Sequence, residues 1–103
     1  MIELSTGQSN EIFTILNQYL GKTPVYAFGS RARHDAREHS DLDLLIKGDS
    51  EIPQALYYQL KDAFEESDLS IKVDVIDWYR ISEDFQQTIA PECIKFYPAE
   101  DSS

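Results

Sequence analysis

The apolar positions of this chain recur with two periods, and the order of those periods predicts a mixed fold. Ile12, Phe13, Ile15, Leu16, Tyr19 and Leu20 recur at helical spacing, and Gly21 stands where a helix-ending glycine belongs. Thr6 and Ser9 are both candidate N-caps for that helix. Pro24 precedes a short strand-like run, Val25-Tyr26-Ala27-Phe28, which Gly29-Ser30 ends. A polar stretch from Arg31 to Ser40 separates it from Asp41-Leu42-Asp43-Leu44-Leu45-Ile46. This second strand places Leu42, Leu44 and Ile46 on one face and Asp41 and Asp43 on the other, because strand side chains alternate. Pro53 suits the first turn of a helix whose buried stripe is Leu56, Leu60, Ala63 and Phe64. Ile71 to Ile76 reads as a third strand carrying Asp74. Trp78, Phe85 and Ile89 mark a third helical region, with Ser82 as a cap and Pro91 as its breaker. Ile94 to Tyr97 reads as a short edge strand, and residues 98–103 as a frayed tail.

Amphipathic helices and strands in this order are accommodated by a small mixed sheet with helices packed on one face, an α/β (α+β) arrangement. Ten residues between the first two strands are few for a full crossover helix, which favours a mixed sheet over an all-parallel one. The face carrying the aspartates is expected to stay open.

Size and charge narrow the function. The chain has 103 residues, enough for one compact domain spanning 1–103. Folding at this size hides roughly 65% of the extended chain's surface, so a core forms without metal or disulfide staples. Nine Lys and Arg against nineteen Asp and Glu give a formal charge of -10. That balance argues against a nucleic-acid groove, which needs clustered basic residues. It points to metal ions, a metal-bound nucleotide or a basic protein surface as partners. Cys93 is the single cysteine, so no internal disulfide or cysteine-rich metal site is expected. Its expected place is the core or the side of the last helix. Met1-Ile2-Glu3-Leu4 lacks a signal peptide's basic start and apolar run, and no run is long enough for a membrane span, so a cytoplasmic location is the expectation.

The chemistry lies in the acidic face. Asp41 and Asp43 repel one another on a strand flanked by Leu42, Leu44, Leu45 and Ile46, so water, basic neighbours or divalent cations must offset them. Mg²⁺ favours one or two carboxylates with waters and phosphate oxygens. Asp74 is placed to complete a three-carboxylate cluster, whereas Asp77 falls on the opposite face of its strand. Three such groups can hold two metals about 3.5–4 Å apart. A D-x-D alone is common on solvent-facing strands, and a lone Gly-Ser is usually only a turn. Together they mean more: a turn offering backbone N–H groups and the Ser30 hydroxyl to phosphate, beside carboxylates that bind its metal. Arg31 and Arg33 follow directly, and Arg33 is the better candidate for phosphate oxygens. Lys72, two residues before Asp74, is positioned to moderate the acidic cluster. His34 and His39 lack the partner spacing of a zinc site.

Gly29-Ser30, ten intervening residues and Asp41-Leu42-Asp43 resemble the signature of the nucleotidyltransferase superfamily that includes polymerase beta. Gly29-Ser30-Arg31-Ala32-Arg33, continuing to Ser40-Asp41-Leu42-Asp43-Leu44, is similar to its minimal nucleotidyltransferase (MNT) branch. Asp74 in Val73-Asp74-Val75 falls where that branch carries its third carboxylate. The resemblance covers about residues 10–97, and His34 departs from it where many relatives have glycine. It implies a polymerase-beta-like core in which Gly29 and Ser30 bind the β- and γ-phosphates of ATP. Asp41 and Asp43 would hold two Mg²⁺ ions, and Asp74 would complete the catalytic metal site and help deprotonate the acceptor hydroxyl. It also implies a HEPN-family helical partner encoded adjacently, a toxin that the small transferase neutralises as antitoxin by adding AMP to a tyrosine. A binding-only antitoxin and a transferase acting on a small-molecule hydroxyl are the alternatives. The edge at Ile94 to Tyr97 would allow a homo- or hetero-oligomer. Tyr57, Tyr58, Trp78, Tyr79, Phe96 and Tyr97 are candidate contact residues, but several of them must cover the core of so small a domain, and only Tyr57 or Tyr58 easily points outward.

Overall fold

The computed structural model describes residues 6–28, 42–69 and 71–97. Helix α1 spans Thr6–Leu20, strand β1 Val25–Phe28, strand β2 Leu42–Ile46, helix α2 Gln54–Glu65, strand β3 Val73–Asp77, helix α3 Glu83–Ile89 and strand β4 Ile94–Tyr97. Short 3-10 turns at Trp78–Arg80 and Ala90–Glu92 flank α3. The strands form one sheet in the order β3-β2-β1-β4. β1 pairs antiparallel with both β2 and β4, and β2 pairs parallel with β3. The mixed sheet expected from the short first connection is therefore present, and the parallel pair is joined through α2.

One face of the sheet holds the core. Leu42, Leu44 and Ile46 of β2 join Val25 and Ala27 of β1, Val75 of β3, Ile12, Ile15, Leu16 and Leu20 of α1, and Leu60 and Phe64 of α2 in one buried cluster. Each fully buried Leu, Ile or Phe side chain contributes about 1.5–3 kcal/mol, so the alternation in β2 fixes which way the strand faces. Phe13 of α1 packs on Phe96 and Tyr97 of β4, with ring centroids 5.0 and 5.9 Å apart. Those two residues are buried, so of the candidate contact aromatics they are among those that cover the core. The Tyr97 hydroxyl donates to the Gly21 carbonyl, tying β4 to the end of α1.

The predicted boundaries need small changes. α1 is already helical at Thr6, so Ser9 lies inside the helix and is not its cap. Gly21 ends it with φ of 60°, a conformation that disfavours any residue with a Cβ. Pro53 precedes α2 at the N-cap position. β3 begins two residues later than the Ile71 to Ile76 run suggests and includes Asp77. Trp78 belongs to a separate 3-10 turn, while Ser82 caps α3 by accepting from the Phe85 N–H. Cys93 lies beside the end of α3, its thiol donating to the Ile89 carbonyl at 3.2 Å. Residues 98–103, read as a frayed tail, lie outside the described residues.

Candidate active site

The face opposite the core carries Asp43 and Leu45 of β2, because strand side chains alternate. It is not uniformly open. Leu45 is buried in a small cavity of about 110 Å³ lined with Tyr26, Lys47, Trp78, Ala90 and Cys93. The Lys47 ammonium lies 4.3 Å from the Trp78 ring centre, and the Trp78 carbonyl accepts from Gln86 Nε2 at 2.7 Å. The turns around α3 therefore close one end of this face, and Asp43 lies toward the other.

The parallel register decides what Asp43 meets. Asp43 is the Cα partner of Asp74, with Phe28 its antiparallel partner on the other side. Neighbouring strands lie about 4.8 Å apart and paired residues point to the same face, so the two carboxylates are neighbours. Both residues are partly exposed. At about 5 Å, two unit charges repel by about 1 kcal/mol in water and about 3 kcal/mol at a surface dielectric of 20. Lys72 Nζ stands 3.9 Å from Asp74 Oδ1, but both side chains are well exposed and such a pair contributes about 0–1 kcal/mol. The Asp43–Asp74 alignment thus brings two carboxylates together on a partly exposed part of the sheet. Asp74 also borders an open groove of about 630 Å³ with Lys61, Ser67, Leu69, Lys72 and Val73 along its walls.

Two hard oxygen donors side by side suit Mg²⁺, which takes one or two carboxylates and fills its remaining positions with water or phosphate oxygens. Among the described residues no group of three His, Cys, Asp or Glu is placed to hold a metal. Asp41, Gly29, Ser30 and Arg33 lie outside the described residues, so of the candidate site only Asp43 and Asp74 are brought together here.

Asp77 confirms the split of faces. It points away from Asp74 and is 0% exposed, the only charged side chain so buried among the described residues. Its Oδ2 accepts from the Ile52 N–H at 2.9 Å and its Oδ1 from the Tyr79 N–H at 3.1 Å. Arg80 completes the cluster, with Nε 3.8 Å from Asp77, Nη1 3.2 Å from Glu51 and Nη2 donating to the Ile52 carbonyl at 3.1 Å. This network joins the start of α2 to the end of β3. Sequence reasoning gave Asp77 its face but not this role; an aspartate followed by a turn of helix was the available signal.

The chain thus folds as a mixed four-stranded sheet with a core on one face and a carboxylate pair on the other, and comparison with known proteins shows its family. The polymerase beta nucleotidyltransferase family model matches residues 10–101, and the chain belongs to that family. It is 45% identical over 76 residues to the Haemophilus influenzae protein described as probable protein adenylyltransferase MntA, covering 74% of this chain and 67% of that one. A solved minimal nucleotidyltransferase superposes with a TM-score of 0.63 at 27% identity, covering 85% of this chain and 88% of the other. A chain of a toxin–antitoxin complex with AMP-PNP gives a TM-score of 0.70 at 20% identity, covering 89% and 74%. A chain from tri-AMPylated Shewanella oneidensis HEPN toxin in complex with MNT antitoxin gives 0.65 at 18%, covering 91% and 72%. The last two likenesses concern the fold alone.

Proposed function

We propose that this chain is a single minimal nucleotidyltransferase domain over residues 1–103 that transfers AMP from ATP to a tyrosine hydroxyl of a HEPN-type partner, and so acts as an antitoxin. The observation that carries the reading is the direct pairing of Asp43 with Asp74 on the exposed sheet face. The similarity to a protein described as a probable adenylyltransferase, and the fold shared with a chain of a HEPN toxin–MNT antitoxin complex, support adenylyl transfer to a HEPN-type partner.

Asp41, Asp43 and Asp74 would hold two Mg²⁺ ions, which supply charge neutralisation for the triphosphate and the departing pyrophosphate. Gly29 and Ser30 cradle the β- and γ-phosphates, and Arg33 adds a cation beside them. The Asp74 carboxylate takes the proton of the acceptor hydroxyl. The freed oxygen bonds to the α-phosphorus, the bond from that phosphorus to the bridging oxygen breaks, and pyrophosphate leaves. The residues mainly position the reactants and stabilise charge, and no covalent intermediate on the chain is needed. Among the described residues no helix is long and apolar enough to cross a membrane, and we place the reaction in the cytoplasm.

The test mixes the purified chain with the HEPN-type protein encoded beside it, ATP and Mg²⁺, and reads the partner's intact mass. The partner should gain whole AMP units, and Asp41→Asn or Asp43→Asn should stop the gain. An unchanged partner mass contradicts the reading. Full neutralisation by both variants would leave a binding-only antitoxin.

A further inference from the structure

Among the described residues β3 is an edge strand, paired on one side only, with β2. The Leu42 N–H donates to the Lys72 carbonyl at 2.9 Å, so the backbone of Lys72 faces β2. Backbone groups alternate in direction along a strand, which turns those of Asp74 and Ile76 inward and those of Val73 and Val75 outward. An outward carbonyl has no strand to bond, and an edge held on one side is free to twist.

At Val75 the missing partner is supplied by a side chain. Tyr57, in the first turn of α2, donates its hydroxyl to the Val75 carbonyl at 3.0 Å. The ring is itself held: the Arg80 guanidinium lies 4.8 Å from its centre and the Lys61 ammonium 5.1 Å. Arg80 is fixed in turn by Glu51, Asp77 and the Ile52 carbonyl. Val75 directly follows Asp74, so the bond clamps the edge strand one residue from the carboxylate that must stay aligned with Asp43.

We propose that Tyr57 is a positioning residue for nucleotidyl transfer, acting through the Val75 carbonyl to hold Asp74 beside Asp43. This rests on the reading that Asp74 binds the metal and accepts the proton. A small displacement of a reacting group costs rate steeply, and partners one step behind a metal ligand commonly change metal affinity by 10-fold or more.

The experiment compares wild type, Tyr57→Phe, Asp74→Asn and Ser82→Ala. Tyr57→Phe keeps the ring between its cations and removes only the hydroxyl. Ser82→Ala removes the cap of α3, a single side-chain hydrogen bond to the Phe85 N–H that involves neither β2 nor β3, and so serves as a control for the loss of one hydroxyl. Mn²⁺ affinity in the presence of a non-hydrolysable ATP analogue is read by electron paramagnetic resonance, and kcat and KM for ATP are read with the HEPN-type partner as acceptor. Tyr57→Phe should weaken Mn²⁺ binding and lower kcat about 10-fold each, with KM for ATP changed less than about twofold. Ser82→Ala should match wild type in both. If Tyr57→Phe behaves like Ser82→Ala while Asp74→Asn loses metal and activity, the positioning role is overturned and the reading of the site stands. If Asp74→Asn retains wild-type metal affinity and rate, the reading beneath the inference fails and takes the inference with it.

Discussion

Replacing Asp77 by asparagine isolates the charge of a group that is sterically almost unchanged. The carboxylate accepts from two backbone N–H groups at 2.9 and 3.1 Å and lies 3.8 Å from Arg80 Nε, all with no solvent exposure of its own. An asparagine amide offers one acceptor oxygen, and its NH₂ must face either the Ile52 or the Tyr79 N–H. One charge-assisted hydrogen bond is lost, worth about 1.5–3 kcal/mol, and the opposed donor is left buried without a partner, adding about 1 kcal/mol or more. The sum is about 3 kcal/mol. For a domain of this size each kcal/mol moves the melting temperature by about 4–8 °C, so a fall of about 12–24 °C is expected. Urea denaturation followed by far-ultraviolet circular dichroism is the appropriate assay, because Trp78 adjoins the mutated residue and its fluorescence would respond to the substitution itself. The midpoint should fall with the slope unchanged. A loss below about 1 kcal/mol would refute the reasoning, since the two N–H groups would then be satisfied by something other than Asp77.

Two further outcomes follow from the same geometry. Mg²⁺ or Mn²⁺ should raise the melting temperature of the wild-type chain by binding the folded state, and Asp74→Asn should abolish the rise without lowering the metal-free melting temperature, because it removes a carboxylate from beside Asp43; calorimetric scans with and without metal check both. The hydroxyl of Tyr57 is pushed above its ordinary value of 10.0, first by burial and then by Asp77 and Tyr58, with Arg80 pulling the other way. Its folded-state pKa is therefore higher than its unfolded one, so its contribution is complete below pH 10 and is lost as pH rises through the folded value. Melting scans above pH 10 should show wild type falling more steeply than Tyr57→Phe, and parallel curves would contradict this.

Much of this was legible in the chain because two periodicities are cleanly separated. Leu42, Leu44 and Ile46 share one face of β2 by strand alternation, and with Asp41 and Asp43 at the intervening positions that set the face of Asp43. Short spacing between β1 and β2 favoured a mixed sheet over an all-parallel one, which is what the fold has. Register was harder. That Asp74 stands opposite Asp43, not one residue away, depends on long-range pairing between strands joined through α2, and no local pattern specifies it. The same limit explains Phe96 and Tyr97, whose burial comes from Phe13 at the other end of the chain. Tyr57 looked like a surface aromatic because helical spacing put it beside the buried stripe; only the edge position of β3 gives its hydroxyl a partner. Leu45 broke the expected open face because the turns around α3 fold back over it. Gly29, Ser30, Arg33 and Asp41 carry the motif in the sequence but lie outside the described residues.

The central claim is that paired carboxylates on this sheet direct attack at the α-phosphorus of ATP. Parallel reactions with ATP labelled at the α- or the γ-phosphorus, each containing the HEPN-type partner and Mg²⁺, test it most directly. The account predicts that α-label becomes attached to the partner while γ-label leaves as pyrophosphate, and that Asp43→Asn and Asp74→Asn each eliminate both signals in folded protein. Attachment of the γ-label, or undiminished α-label transfer by either variant, would contradict it.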